Sequence, residues 1–478
     1  MNKRLIIFLL TISFALVIFT GVIAAGTIYI NNNNGSYDGS TGGLFAIGGD
    51  GIQPLGGKQF FALTAEGLKD LFNPGYGSED DSGSGLVYTD GEIAVKSNTV
   101  KVGLRYYYSL YRDSGVSEAV LENDVGSGFA FGYYDDDRVF TELSRSDQNS
   151  LSVKITQGSG LGVYDVKGEL LYSVPESGSK NMLAIVPLCE SEEAVTRFLG
   201  TKYYGGFECS VLGGDKITVI NVVDIEKYVM GVCASEMSKS WPVEALKAQA
   251  VAARTYVQKA VKATTYFTKC GFDVTADTYC QAYSGCSKLG DNIVTAVEET
   301  ANQYVTYNGA LIEALYFSSD GGATEDNVNV NGNNGHPYLK GVIDPYEYMS
   351  DSINSMSSWT KVFSPGELAE KMELSDVVSV VPEFSATGNV IKLTFASSNG
   401  QTATLLRGSC RTGLGLNSIR YTVSRDANGN FVFDGRGWGH NLGMSQFGAY
   451  SMAKYFDKTY KDILGFYYTG VGLSYGVI

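Results

Sequence analysis

Few side chains in this sequence could act as an acid or a base in catalysis. It has only two histidines, His336 and His440, so a His-rich metal centre is excluded and a Ser-His-Asp mechanism would have only those two bases. Glu236 lies in the tetrapeptide ASEM, on a predicted loop between two predicted helices. Burial against Met237 and Trp241 would favour its protonated form, as a general acid requires. The ordinary alternative for a loop glutamate is a solvated surface residue.

Two cations share one side of the helix predicted over residues 242–261. Apolar residues recur there at intervals of three or four and predict a narrow buried stripe, and the many alanines permit close packing. Lys247 and Arg254 are seven residues apart, so they fall within about 20° of each other on a helical wheel and edge that stripe. Two interpretations stay open for them: contacts to a ligand, or long side chains that reach solvent from a core helix.

The composition excludes one class of partner and favours an exported protein. With 36 basic and 51 acidic residues, the 478-residue chain has a formal net charge of −15, so nucleic acid is not an expected partner. Apolar residues make up 44% of the chain, and its length allows about three domains with ordinary cores. The 58 glycines and 32 tyrosines suit a turn-rich surface that presents aromatic rings to polar ligands such as sugars.

The N-terminus predicts a membrane anchor. Lys3 and Arg4 precede an almost uninterrupted apolar stretch over residues 5–30, which exceeds the roughly 20 residues that cross a bilayer. The positive charges keep residues 1–4 in the cytoplasm. The sequence therefore predicts a single-pass protein of the cell membrane whose catalytic part is extracytoplasmic. The alternative is a long, cleaved signal peptide with a weak exit site at Ala24 and Ala25.

Three further regions follow the predicted anchor. Residues 31–86 are rich in Gly, Asn and Ser and predict a linker region with a short helix over 60–72. Residues 87–210 contain short β-type runs between turns and predict a β-rich accessory region, interrupted by one helix over 191–200. Helical and strand patterns both occur over residues 211–478. The predicted fold class is therefore α+β.

The cysteines allow disulfides but do not specify them. All seven follow the predicted anchor, where disulfides can form. Because seven is odd, at least one thiol stays free or pairs between chains, and no C-x-x-C pair indicates a zinc knuckle. Cys280 and Cys286 are closest in sequence and could form a small disulfide loop, half of a metal site or two unrelated thiols. The disulfide is the favoured interpretation, and Cys270 competes for it.

Five ordered motifs in the C-terminal half resemble one family. They are YVMGVCASEMSKSWPVEALKAQAVAARTY over residues 228–256, FDVTADTYCQAYSG over 272–285, YFSSDGGATEDN over 316–327, PYLKGVIDPYE over 337–347 and GRGWGHNLGMSQFGAYSMA over 435–453. Together they are similar to the SpoIID/LytB family. The resemblance covers roughly residues 200–478 and implies a mixed catalytic domain over 211–478, with an inserted lobe at about 348–432.

This resemblance implies a peptidoglycan lytic transglycosylase. Such an enzyme cuts the bond between N-acetylmuramic acid and N-acetylglucosamine without water and leaves a 1,6-anhydro end. The muramic 6-hydroxyl replaces water, so one carboxylic acid of raised pKa can serve first as acid and then as base, and a second carboxylate is not obligatory. The resemblance assigns that role to Glu236.

The resemblance also implies a setting and partners. The substrate would be glycan strands already stripped of peptide, for example in sporulation engulfment. A cell-wall amidase and other membrane-anchored wall-remodelling proteins are the implied partners. The alternative function is that of a non-catalytic glycan-binding protein that recruits or enhances an amidase, as the second namesake of the family implies.

Further motif residues are implied to bind the glycan. Structural roles compete for several of them: packing for the tyrosine, a tight turn for the Ser/Gly loop, and a bridge between backbone groups for the histidine. The expected substrate-binding residues are Lys247, Arg254, Gln281, Tyr283, Ser318, Ser319, Gly321, Gly322, His440 and Gln446.

No metal and no cofactor are expected. Zinc-binding members of the family place histidines close to a cysteine pair with the spacing of Cys280 and Cys286, but this segment contains no histidine. Two thiolates alone rarely hold structural zinc.

Overall fold

The computed structural model describes residues 44–48, 51–55 and 91–477, with gaps at 109–111, 191–192, 213–214, 262, 264–268, 333–334 and 352. The predicted tail, the predicted anchor over 5–30 and the helix predicted over 60–72 lie outside the described residues. Within the predicted linker region, two segments pair as a hairpin. The described chain combines β-sheets with eight α-helices, which confirms a mixed α and β fold.

The strands of the N-terminal half are β1 (Leu44–Gly48), β2 (Gly51–Leu55), β3 (Glu92–Ala94), β4 (Thr99–Arg105), β5 (Tyr107–Tyr108), β6 (Arg112–Asp113), β7 (Glu118–Val125), β8 (Phe129–Tyr134), β9 (Phe140–Ser146), β10 (Ser150–Ile155), β11 (Leu161–Tyr164), β12 (Leu170–Val174), β13 (Leu183–Pro187), β14 (Val195–Phe198), β15 (Thr201–Tyr203), β16 (Gly206–Val211) and β17 (Ile217–Asp224). Those that follow are β18 (Val274–Thr275), β19 (Gln303–Tyr307), β20 (Ala310–Leu311), β21 (Tyr316–Phe317), β22 (Ser358–Phe363), β23 (Ser379–Phe384), β24 (Val390–Ala396), β25 (Thr402–Leu406), β26 (Tyr421–Arg425), β27 (Phe431–Arg436), β28 (Met444–Ser445) and β29 (Gly472–Val477).

The helices of the described residues all follow β17. They are α1 (Ile225–Glu236), α2 (Val243–Ala260), α3 (Asp291–Glu298), α4 (Asn327–Asn331), α5 (Pro365–Met372), α6 (Ser409–Thr412), α7 (Gln446–Tyr455) and α8 (Tyr460–Tyr467), with a 3-10 helix at Glu347–Ser350.

Two sheets pack around one core. A seven-stranded sheet has the order β18-β4-β17-β16-β13-β8-β9, and a six-stranded sheet has the order β12-β11-β10-β7-β14-β15. Leu121 and Val153 of the smaller sheet belong to the same buried cluster as Phe131 and Val219 of the larger one. The predicted boundary between residues 210 and 211 falls inside β16. Residues on both sides of that boundary therefore share one sheet and one core.

The helix predicted over residues 191–200 is wrong. Val195–Phe198 is strand β14, which pairs antiparallel with β7 and with β15. Thr196 and Phe198 are buried while Val195 and Arg197 are half-buried, so the segment alternates with the period of a strand. Pairing on both edges overrides the weak local helical pattern, because packing decides short segments more than propensity does.

Helix α2 is the centre of the helical layer. It contacts α1, α3, α7, α8 and strand β19, and its many buried alanines permit these close approaches. Helix α1 begins at an N-cap, Asp224, whose carboxylate accepts from the backbone N–H groups of Glu226 and Lys227. Strand β17 therefore leads directly into α1, and α1 leads towards the candidate site.

A second core lies in the region expected as an inserted lobe. The three-stranded sheets β22-β27-β26 and β23-β24-β25 pack with α5 around Leu368, Phe395 and Phe433. Helix α5 begins at Ser364 with a reciprocal capping box to Glu367. The residues of this segment therefore pack around a core separate from that of the two large sheets.

The expected location in the cell membrane requires correction. In the described part of the chain, no helix is both long enough and apolar enough to cross a membrane. The longest described helix, α2, has 18 residues but carries several charged and amide side chains.

Candidate active site

Glu236 is the last residue of α1 and not a loop residue as predicted. The helix continues through Cys233 and Ala234 because both pack into the core. It ends at Met237, which is extended and whose N–H donates to the carbonyl of Cys233. The Glu236 side chain is therefore fixed by a helix at its own end and lies half-buried.

Two donors hold the Glu236 carboxyl from opposite parts of the chain. The backbone N–H of Ala282 donates to Oε1 at 2.9 Å, and the side-chain amide of Gln446 donates to Oε2 at 3.2 Å. Burial raises the pKa of Glu236, and the two hydrogen bonds partly offset that rise. No second carboxylate of the described residues contributes to this shift. The site thus holds one carboxyl that favours its protonated form more than a solvated glutamate does.

Gln446 reaches Glu236 because two short strands bring distant motifs together. Strand β21 pairs in parallel with β28, with Phe317 opposite Ser445. Ser445 is the N-cap of α7, and Gln446 is the first residue of that helix. Its amide also lies 3.5 Å from Oε1 of Gln249 on α2. Three segments of the fold therefore fix the donor that faces the acid.

Gln281 and Tyr283, both expected to bind the glycan, face the interior. Oε1 of Gln281 accepts from the Tyr228 hydroxyl at 3.0 Å, and its amide donates to the Tyr316 hydroxyl at 2.9 Å. The Tyr283 hydroxyl donates to Asn221 at 2.8 Å. Both side chains are buried, so their expected contact with the glycan stays a prediction, and these bonds anchor the loop that carries Ala282.

His440 bridges two backbone groups. Its Nδ1 accepts from the N–H of Leu442 at 3.1 Å, so Nε2 carries the proton and donates to the carbonyl of Tyr316 at 3.0 Å. Burial, aided by the nearby Arg411 guanidinium, lowers the pKa of His440 to about 4. The imidazole is therefore neutral near pH 7, and it fixes Tyr316, whose hydroxyl holds Gln281.

The Ser/Gly loop closes around a buried carboxylate. Ser319 donates its hydroxyl to Oε1 of Glu347 at 2.5 Å, and the N–H of Gly321 donates to the same oxygen at 3.0 Å. Ser445 donates to Oε2 at 2.5 Å. Gly321 and Gly322 have positive φ angles of 69° and 113°, which only glycine adopts readily. Glu347 thus joins this loop to the N-cap of α7. The backbone carbonyl of Ser318 accepts the N–H of Phe447.

Lys247 and Arg254 lie in ion pairs on the far side of α2 from Gln249. Lys247 contacts Glu244 and Glu299 at 2.7 Å each. Arg254 is fully buried and donates from Nε and Nη2 to the carboxylate of Glu226. Each cation already has carboxylate partners, so a glycan contact for either stays a prediction, and both contribute to the packing of the helical layer.

One described group of three carboxylates has spacing that could hold a cation. Asp320, Asp344 and Glu347 are buried with ligand atoms within 4.8 Å of one another. Glu347 and Asp344 accept several hydrogen bonds, including one to Asp344 from Tyr467 at 2.5 Å. Burial and the neighbouring carboxylates raise the pKa of Asp320 well above its usual range. Burial and mutual repulsion favour a proton shared within this cluster, because like charges at such spacing do not readily ionise together.

The predicted disulfide between Cys280 and Cys286 is absent. Both are half-buried free thiols, so the favoured disulfide interpretation is wrong. The described residues group no cysteine with two other metal-binding side chains.

Four residues that support the site were not singled out from the sequence. Each lies within one of the motifs, and only its contacts in the fold distinguish it from its neighbours. The four residues are Tyr228, Gln249, Tyr316 and Glu347.

Comparisons with known proteins find relatives of this chain. Residues 213–307, which contain Glu236, α2 and Gln281, match the family model described as Stage II sporulation protein. The stage II sporulation protein D of Bacillus subtilis is 34% identical over 53% of this chain and 75% of its own length. An uncharacterized protein of Brachyspira hyodysenteriae is 36% identical over 57% of this chain and 73% of its own. The amidase enhancer of Bacillus subtilis is 32% identical over 51% of this chain and 40% of its own.

Proposed function

The chain belongs to the family of stage II sporulation protein D, which supports a cell-wall related function, and from that premise we propose that it is a peptidoglycan lytic transglycosylase. One observation carries the proposal: Glu236 is a half-buried carboxyl of raised pKa, held by two amide donors. A single acid of this kind suits a reaction in which the substrate supplies its own nucleophile.

The proposed reaction needs one proton donor that later accepts a proton. Protonated Glu236 gives its proton to the glycosidic oxygen as the bond from the muramic anomeric carbon to that oxygen breaks. The resulting carboxylate then takes the proton of the muramic 6-hydroxyl as its oxygen bonds to the anomeric carbon. The products are a free 4-hydroxyl on N-acetylglucosamine and a 1,6-anhydro ring. Glu236 ends protonated, and no water is consumed.

The two amide donors match both protonation states of this cycle. Burial favours the neutral acid before the bond breaks, whereas the N–H of Ala282 and the amide of Gln446 stabilise the carboxylate after the proton has left. Neither donor can itself supply a proton at neutral pH. Glu236 is therefore the residue on which the proposal depends.

The decisive experiment is product analysis after digestion of peptide-free glycan strands. Anhydro ends are one water lighter than hydrolytic ends, so mass spectrometry separates the two reactions. We expect anhydro products from the natural protein, and a loss beyond about 10²–10⁴-fold in Glu236→Gln, because no other carboxyl can replace both proton steps. Glu298→Gln is the matched control, since Glu298 also ends a helix but is exposed.

One relative, the amidase enhancer, supports a second candidate function. In that case the protein binds glycan and raises the activity of a cell-wall amidase without cutting the strand itself. Glycan binding with no cleavage product, together with an amidase rate that rises equally with the natural protein and Glu236→Gln, would favour it. Hydrolytic ends in place of anhydro ends would contradict both functions.

A further inference from the structure

A cavity of about 270 Å³ is lined in part by the loop that touches Glu236. Its walls come from the end of β4, the β14–β15 hairpin, and the segments 276–277 and 283–284. Within the loop, the N–H of Ala282 donates to Glu236, whereas Ser284 lines the cavity and contacts the Ser235 hydroxyl at 2.7 Å. The cavity therefore lies beside the candidate site, separated from the acid by one short loop.

The lining mixes rings, hydroxyls and one cation. Tyr106, Tyr203 and Tyr283 contribute aromatic surface, Thr201 and Ser284 contribute hydroxyls, and Arg105 contributes a guanidinium. Aromatic faces with a few convergent polar groups are typical of sites for small polar ligands. Drug-sized ligands need pockets of about 300–1,000 Å³, so this cavity suits a smaller ligand, of the size of one sugar residue.

Arg105 is the side chain that determines which ligand fits. It is exposed, its one hydrogen bond goes to the carbonyl of Leu104, and no described carboxylate lies within ion-pair distance of it. Asp277 shares the cavity wall but accepts hydrogen bonds from Tyr106, Thr275 and Tyr279. An exposed guanidinium without a carboxylate partner among the described residues favours an anionic ligand.

The hairpin that forms the rim has a tight turn. Leu199 and Gly200 form its two-residue turn with φ angles of 47° and 80°, as in the type I′ turns that fit strand twist. Leu199 is 58% exposed on that rim, while Phe198 beneath it is buried. The rim thus offers an apolar edge to the cavity that Arg105 also lines.

We propose that this cavity binds a carboxylate-bearing amino sugar of the glycan strand, with the carboxylate on Arg105 and the ring against the tyrosines. The identity of the sugar rests on the proposed function, because among the two sugars of that substrate only the muramic residue carries a carboxylate. Its binding requires no catalysis. The cavity holds the strand at a second point beside the acid.

The test is calorimetric titration of the full chain with N-acetylmuramic acid. N-acetylglucosamine, which lacks the lactyl carboxylate, is the comparison ligand. We expect Arg105→Met to weaken binding of N-acetylmuramic acid about tenfold or more, as loss of a charge-assisted contact does, and Arg105→Lys to retain part of it. Arg145→Met is the matched control, since Arg145 is an exposed arginine on β9 paired with Glu142.

The same titrations in Glu236→Gln separate the two proposals. If Glu236→Gln abolishes cleavage but binds N-acetylmuramic acid normally, both proposals stand. Equal affinity of the natural protein and Arg105→Met for this sugar overturns the cavity proposal and leaves the catalytic one intact. Cleavage that survives in Glu236→Gln overturns the catalytic proposal, while Arg105-dependent binding would still support the cavity.

Discussion

The side-chain amide of Gln446 donates to Oε2 of Glu236 across 210 positions of sequence. The contact joins the end of α1 to the start of α7, and Gln249 of α2 touches the same amide. Two motifs that are far apart in the chain therefore meet at one carboxyl. Because a donor to the charged form lowers a carboxyl pKa, Gln446 sets how strongly Glu236 holds its proton.

Replacing Gln446 should therefore move the pH profile of cleavage. In Gln446→Met the carboxylate loses one donor, so the pKa of Glu236 rises further. A general acid is active when protonated, below its own pKa, so the alkaline limb of kcat/KM should move to higher pH. We expect a shift of about one pH unit, because one hydrogen bond to a charged group contributes about that much to a pKa. The measurement is the cleavage rate of peptide-free strands from pH 4 to 9.

A control distinguishes this effect from a general loss of structure. Gln401 is an exposed amide in the turn between β24 and β25, and Gln401→Met should leave the profile in place. An alkaline limb that stays fixed in Gln446→Met, with only the maximal rate reduced, would show that Gln446 does not influence the proton on Glu236.

Arg254 should prove structural in stability measurements. It is fully buried and binds Glu226 through two nitrogen atoms, so Arg254→Met leaves Glu226 without its partner. We expect a loss of about 3 kcal/mol in the free energy of unfolding, measured by urea denaturation. Lys259→Met on the same helix removes a half-exposed pair with Glu313 and should cost under about 1 kcal/mol.

The double variant tests the pairing directly. Arg254→Met combined with Glu226→Gln should cost less than the two single changes added together, because each single change includes the penalty of the partner left behind. Additive losses, or a raised KM for glycan in folded Arg254→Met, would instead support a ligand contact, one of the two interpretations that the sequence left open for Arg254.

The sequence predicted much of the local structure because hydrophobic periodicity is a local property. The β-type runs predicted within residues 87–210 include β10 and β13, and the helix predicted over 242–261 corresponds to α2. The helix prediction for residues 191–200 failed because these residues form a strand that pairs with β7, some 70 positions away. No pattern within ten residues contains that pairing.

In the candidate site too, the sequence predicted local features but not long-range contacts. Glu236, His440 and Gln446 lie in recognisable motifs, but their contacts depend on partners from other segments. The Ser/Gly loop was expected to bind the glycan. In the fold, Glu347 instead accepts the N–H of Gly321. Glu347 lies 26 positions after Gly321 and in a different motif, so the local sequence does not indicate this contact.

The buried carboxylate cluster should make stability fall as pH rises. Burial and repulsion from Glu347 raise the pKa of Asp344 to about 6, against about 4 in an unfolded chain. Between those values the folded state binds more protons than the unfolded state, so the free energy of unfolding decreases as pH increases through that window. Asp320, whose pKa is also raised, adds to the same slope.

Asp320→Asn should flatten this dependence. The amide keeps the oxygen that accepts from Gly322 and removes one ionisable group, so we expect a gain of about 1–3 kcal/mol at pH 7 relative to pH 5. Asp147→Asn changes an exposed aspartate and serves as the control. A rise in melting temperature with Ca²⁺ in the natural protein, absent in Asp320→Asn, would show a bound cation in place of the shared proton.

His440 should remain neutral throughout the range in which the protein acts. Its Nδ1 accepts from Leu442 and its Nε2 donates to Tyr316, a pattern that an imidazolium cannot satisfy because both nitrogens would donate. With its pKa lowered to about 4, protonation on acidification costs stability as pH falls from about 6.5 towards 4. Nitrogen-15 spectra should show one Nε2–H tautomer from pH 5 to 8, assigned with His336→Gln, which leaves a single histidine. Titration of the His440 signal near pH 6.5 would mean that the two backbone bonds do not fix its protonation state, and that His440 is available as a second proton carrier beside Glu236.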